Sequence, residues 1–261
     1  MSRLTLNSQA EHRMTEIRSM QLQNVAVFGA SGTIGAALIR ELAEKNPLTN
    51  IHGISREPLF SETLPPRVML HVLDYADSDK IKVFSEGFSQ QYGSLDLIVI
   101  ATGVLSAISK NPEKSVEHIT ESELLENFRI NTVIPTLIFK HCFTLLSNAP
   151  TPTFAVLSAR IGSISDNRLG GWYAYRMSKA ALNMFIKTAS HELRRKNKHS
   201  VVVGLHPGTV KTKFSERFIK NTTKNCFTPE TAAQQLVNVI GKLTPPKSGR
   251  LFAWDETEIL P

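Results

Sequence analysis

A doubly wound α/β fold, with a mostly parallel sheet and helices on both faces, is predicted by three observations. Short apolar runs alternate with amphipathic helical periods from residue 23 onward. Those runs are continuously apolar, the pattern of strands buried on both faces. The first of them leads directly into a glycine-rich turn that opens a helix. The 261 residues, 41% hydrophobic and 20% charged, suffice for one large core, so 23–261 is read as a single domain.

Val25–Phe28 is too short for a helix and is read as the first strand. Ile34, Leu38 and Leu42 recur four apart and mark a helix that stops near Asn46 and Pro47. Ile51–Ser55, Val68–Leu73 and Leu95–Thr102 follow as strands, with a helix over Ser78–Tyr92 before the last. Leu124–Leu146 is a long helix with Pro135 inside it, and Thr153–Ser158 is the next strand. Tyr173–Lys196 is a second long helix. The strand Val201–Leu205, the helix Pro229–Leu243 and the strand Leu251–Trp254 complete the series. Residues 1–22 fit none of these elements and are expected to form a disordered tail.

Composition excludes several functions. No segment resembles a membrane span, and the polar N-terminus lacks a secretory signal's apolar run, so a cytoplasmic protein is expected. Two cysteines, Cys142 and Cys226, support neither a disulfide framework nor a metal site. The net charge of +7 is scattered apart from Arg194–His199, which ends a helix where cations favour the dipole. A nucleic-acid partner is therefore not expected.

Gly29, Ala30, Ser31, Gly32, Thr33, Ile34 and Gly35 join the first strand to the first helix. Glycines there let backbone approach a pyrophosphate, and the helix N-terminus supplies positive potential, as in a Rossmann dinucleotide fold. The second strand ends in Ser55 and Arg56, with no carboxylate before Glu57. A guanidinium matches a 2′-phosphate, which favours NADP(H) over NAD(H). Asp74, after the third strand, is a candidate acceptor for the adenine amino group or a cap for the next helix.

Tyr175 and Lys179 lie four apart on one helix face, within interaction distance. An ammonium beside a phenol stabilises the phenolate and makes the tyrosine a better proton donor and acceptor near neutral pH.

With Asn131, the sequence Tyr175-Arg176-Met177-Ser178-Lys179 and the loop Pro207-Gly208-Thr209-Val210-Lys211-Thr212, the glycine turn carries a specific resemblance. The chain resembles the short-chain dehydrogenase/reductase superfamily over roughly residues 23 to 261. The segments Gly162-Ser163-Ile164 and Gly170–Arg176 resemble the sniffer-type carbonyl reductases and bacterial C-factor proteins. This resemblance implies an oxidoreductase moving a hydride between nicotinamide and a small carbonyl or alcohol. Tyr175 would be the general acid/base, Lys179 would assist it and contact the nicotinamide ribose, and Asn131 would hold a relay water. Pro135 adds a physical reason for the last role, since it has no N–H to give the Asn131 carbonyl. The loop Pro207, Gly208, Val210 and Thr212 would pass over the nicotinamide, and Ala101, Thr102 and Gly103 would lie against the cofactor.

One departure stands out. The family's catalytic serine falls on Ala159, so Ser158, Ser163 or a water must replace it, or the chain is a weak or inactive NADP(H)-binding sensor. An extended strand end would point Ser158 and Ala159 to opposite sides. Phe214–Phe227 would form a substrate flap. The two long helices offer a face for a homo-oligomer.

Overall fold

The computed structural model describes residues 22–58, 64–212, 215 and 226–261. Its strands are β1 (Asn24–Phe28), β2 (Asn50–Ser55), β3 (Val68–Val72), β4 (Leu97–Ile100), β5 (Thr153–Leu157), β6 (Val201–His206), β7 (Thr209–Val210), β8 (Cys226–Phe227), β9 (Arg250–Ala253) and β10 (Glu258–Ile259). The principal helices are α1 (Thr33–Lys45), α2 (Ser78–Tyr92), α3 (Glu121–Phe128), α4 (Ile134–Ser147), α5 (Tyr173–Lys196) and α6 (Pro229–Gly241). The main sheet runs β10-β9-β6-β5-β4-β1-β2-β3, parallel throughout except where β10 turns back on β9. Strand order reverses between β1 and β4, and such a switch point opens a crevice at the carboxyl ends of the strands. The doubly wound fold is as predicted.

Alternation along each strand divides the core in two. Val25, Val27, Leu97, Val99, Ala155 and Leu157 meet α1 and α6 on one face. Ala26, Phe28, Ile98, Ile100, Phe154 and Val156 meet α2, α4 and α5 on the other. Continuous apolar strands are what two covered faces require.

The differences from the predicted elements have local causes. β4 is shorter than Leu95–Thr102 because the Leu95 N–H bonds to the Leu145 carbonyl in α4, outside the sheet. The helix predicted from Leu124 starts at Glu121, capped by the Thr120 hydroxyl on the Glu123 N–H. Polar Glu121, Ser122 and Glu123 carry no apolar period to announce it. Around Asn131 the helix changes to a π turn, Arg129–Val133, closed by the Ile134 N–H on the Arg129 carbonyl. Together these segments make a 27-residue rod, Glu121–Ser147, long and apolar enough to cross a bilayer, although half of its most apolar window is buried inside the fold. The predicted tail lies outside the described residues but for Leu22, whose carbonyl accepts from the Thr49 hydroxyl.

A histidine pair, His52 buried and His71 half-buried, links β2 to β3. His52 Nδ1 lies 2.9 Å from His71 Nε2, with the rings of Phe88 and Tyr92 edge-on to His52. Burial, and secondarily His71, lowers His52 from 6.5 to about 4; burial lowers His71 as well. The unfolded chain therefore binds protons below pH 6.5 that the folded chain refuses. Stability is complete above pH 6.5 and is lost as pH falls toward 4. At pH 5 the loss from His52 is about 2 kcal/mol. Tm should accordingly drop between pH 7 and pH 5, and by less in His52→Gln. Equal drops in the two proteins would exclude this origin.

Candidate active site

A cleft of about 840 Å³ opens over the carboxyl ends of the strands. Of the residues singled out in the sequence, Gly32, Thr33, Ile34, Ala101, Thr102, Gly103, Ser158, Tyr175, Lys179, Pro207, Gly208, Val210 and Thr212 line it. Gly29, Ser31 and Gly35 belong to the adjoining turn. Ser55, Arg56 and Asp74 stand at the ends of β2 and β3, and Asn131 is buried behind the wall.

The glycine turn is compact. The N–H groups of Gly29 and Ala30 both donate to the Ile54 carbonyl, and that of Gly32 donates back to Gly29. Gly29 has φ +86°, and a Cβ on it would stand 3.0 Å from the Ala101 carbonyl carbon. Gly32 caps α1 with no side-chain partner and no acidic residue in the first turn, so the positive end of the helix faces the cleft undiminished.

Lys179 is buried, and its Nζ donates to the Leu157 carbonyl at the end of β5, 2.9 Å away. The same Nζ is 5.9 Å from the centre of the Tyr175 ring. Burial lowers the ammonium to about 7 and raises the Tyr175 phenol above its ordinary value. Gly162 lets the β5–α5 connection lie on this helix, since a Cβ there would come within 2.8 Å of the Lys179 backbone. Gly103 does the same from β4: its Cβ would stand 3.1 Å from Asn131 Oδ1 and 3.5 Å from Lys179 Nζ.

Asn131 holds that β4 loop in place. Its Oδ1 accepts from Val104 N–H, and its Nδ2 donates to the Val104 carbonyl, both at 2.9 Å. Nδ2 also reaches Asn127 and Ser178. Asn127 in turn donates to Glu123, whose carboxylate collects Ser106 and the N–H groups of Ala107, Ile108 and Ser109.

Ser158 donates to Asn183 Oδ1 at 2.7 Å. Ser163 accepts from the Asp166 N–H at 3.2 Å. Asp74 accepts from the Ala76 N–H at 3.1 Å, while Asp77 caps α2, so capping does not occupy Asp74. Ser55 donates to the Glu57 carbonyl, and the Arg56 guanidinium lies 6.0 Å from the Tyr75 ring centre. Thr212 contacts Ser215, and the rest of the predicted flap lies outside the described residues apart from Ser215, Cys226 and Phe227.

Sequence reasoning missed several residues. Glu113 accepts from Ala174 N–H through its carboxylate and from Trp172 N–H through its carbonyl, fixing the start of α5 from 61 residues away. Arg176 donates to the carbonyls of Ile161, Gly170 and Gly171. These contacts hold a left-handed run in which Gly170, Gly171 and Trp172 have φ +63°, +66° and +54°. The Gly-Gly pair was the available signal for that run. Nothing local marks Glu113.

The fold and its cleft are those of a Rossmann-type α/β protein. A family model described as short chain dehydrogenase matches residues 23–223, and the chain belongs to that family. An uncharacterized oxidoreductase of Schizosaccharomyces pombe is 26% identical over 259 residues, covering 92% of this chain and 99% of the relative. The C-signal protein of Myxococcus xanthus is 33% identical over 138 residues, covering 53% of this chain and 78% of its own. Among solved structures, the carbonyl reductase Sniffer of D. melanogaster aligns with a TM-score of 0.80 at 23% identity, covering 92% of this chain and 100% of that one. The sniffer-type and C-factor resemblance is thereby borne out.

Proposed function

We propose that this chain is an NADP(H)-dependent carbonyl reductase or alcohol dehydrogenase acting on a small molecule. The observation that carries the proposal is the meeting of the glycine turn, the β4 loop and the Tyr175–Lys179 pair in one cleft. The residues present fit the dinucleotide. Glycines 29, 35 and 103 stand where a Cβ would crowd backbone or site atoms, and the buried Thr102 hydroxyl has no partner among the described residues.

In this reading residues 29–35 take the pyrophosphate, Ser55 and Arg56 the 2′-phosphate, and Asp74 the adenine. Ala101, Thr102, Gly103, Pro207, Gly208, Val210 and Thr212 take the nicotinamide half. When bound, the cofactor supplies or accepts the hydride at the substrate carbon. Tyr175 gives the carbonyl oxygen its proton, and Lys179 stabilises the phenolate that remains. Asn131 keeps the β4 loop against Lys179 and borders the proton relay. Ser158, held by Asn183, orders the β5 end beside the substrate oxygen.

The experiment is a fluorescence titration with NADPH and NADH, followed by NADPH oxidation against aldehydes, ketones and diketones. Arg56→Ala should weaken NADPH binding by about 10-fold or more, as loss of a charge-assisted contact predicts, and leave NADH nearly unchanged. Equal losses for both cofactors would reject the phosphate role. A second reading, a nicotinamide-binding protein without turnover, draws on Ala159 and on the Ser158 hydroxyl committed to Asn183. Tight NADPH binding with no oxidation across the panel would favour it.

A further inference from the structure

His206 ends β6 beside Ser158. Leu205 pairs with Leu157, and the Ser158 N–H donates to the Leu205 carbonyl at 2.8 Å. Paired positions on parallel strands present their side chains to the same face, so His206 belongs with Ser158 on the α5 side. Both line the cleft that also holds Tyr175 and Lys179.

The end of β5 is short of donors. Ser158 spends its hydroxyl proton on Asn183, and residue 159, where the family has its serine, is alanine. His206, by contrast, has a buried Nδ1 with no hydrogen-bond partner among the described residues. An unpaired N–H is costly to bury, so the neutral ring keeps its proton on Nε2, the nitrogen left free to meet a ligand in the cleft. The ring is neutral at physiological pH: burial, then Arg160, lowers it to about 4 against the opposing pull of Asp255. A neutral imidazole carries one N–H.

We propose that His206 donates the second hydrogen bond to the substrate oxygen, in the place of the serine that is Ala159 here. The proposal rests on the reductase reading above. In reduction the hydride bonds to the carbonyl carbon, the C=O π pair moves to oxygen, and the Tyr175 proton joins that oxygen to complete the alcohol. The His206 proton stays on its nitrogen and stabilises the charge that gathers on oxygen before Tyr175 delivers. A neutral donor aimed at developing charge suits that task.

The test uses the full chain. His206→Ala should lower kcat by about 10²–10³-fold, the usual effect of losing one such donor, with NADPH affinity unchanged. His206→Gln, which keeps an N–H donor, should retain most of the activity. Adding Ala159→Ser to His206→Ala should restore at least about 10-fold, a fraction of that loss. A hydroxyl at 159 cannot repair a packing defect at 206, so rescue separates a catalytic role from a structural one. Undiminished kcat in His206→Ala, or no rescue, overturns the proposal. A readout free of turnover and of folding variants is the His206 imidazole NMR signal in the NADPH complex. Saturating benzyl alcohol should shift it, and an unmoved signal overturns the proposal. A shift in a protein that reduces no carbonyl would uphold the contact and sink the reductase reading instead.

Discussion

Tyr175→Phe is expected to lower carbonyl turnover by about 10³-fold or more while NADPH binding stays within about twofold, because only the transferable proton is removed. Burial sharpens this expectation. It keeps the phenol protonated at neutral pH, which is the form a reductase needs at the start of each turnover. It also lowers the Lys179 ammonium to about 7. Below pH 7 the ammonium is present to stabilise the phenolate left behind, and above pH 7 it is progressively lost. The pH profile of kcat/KM for reduction should therefore be flat below about 7 and fall above it. Lys179→Met should remove that inflection as well as most of the rate. Turnover by Tyr175→Phe within tenfold of the parent protein would end the Tyr175 mechanism, whatever the cofactor affinity.

The legible part of this molecule is the part written locally. Continuous apolar runs marked the buried strands, and the four-residue recurrence of Ile34, Leu38 and Leu42 marked α1. The glycine turn and the Tyr175–Lys179 spacing were visible because each is a short-range pattern with its own chemistry. Residues whose role depends on a distant partner were not legible. Glu113 meets α5 only after the chain has crossed β5, and Asn183 reaches Ser158 across 25 positions. His206 fell between the predicted strand Val201–Leu205 and the Pro207 loop, since an unpaired nitrogen is a property of surroundings, not of sequence. Alternation does run along β5, where Val156 and Ser158 face α5 while Leu157 faces α1 and α6.

Two glycine-to-alanine substitutions should have opposite consequences, and the contrast tests the cofactor turn. In Gly35→Ala the new Cβ would stand 2.2 Å from the Gly29 carbonyl oxygen and 2.9 Å from its carbon. Both are backbone atoms, so no side-chain rotation relieves the contact, and α1 or the turn must move. Gly29 has little room to retreat, being itself close against Ala101 and Thr102. Overpacking of this kind costs about 1–3 kcal/mol, or a Tm loss of roughly 2–12 °C in a chain of this size. Displacing the turn should also weaken NADPH binding by about 10²-fold or more, because the helix N-terminus and the turn must meet the pyrophosphate together. Gly87, inside α2, has no heavy atom within 4 Å of its would-be Cβ. Gly87→Ala should raise stability by about 0.5–1 kcal/mol through helix propensity and leave NADPH affinity as it was. If Gly35→Ala bound NADPH as tightly as the parent protein, the turn would have room to spread, and residues 29–35 could not be the pyrophosphate site.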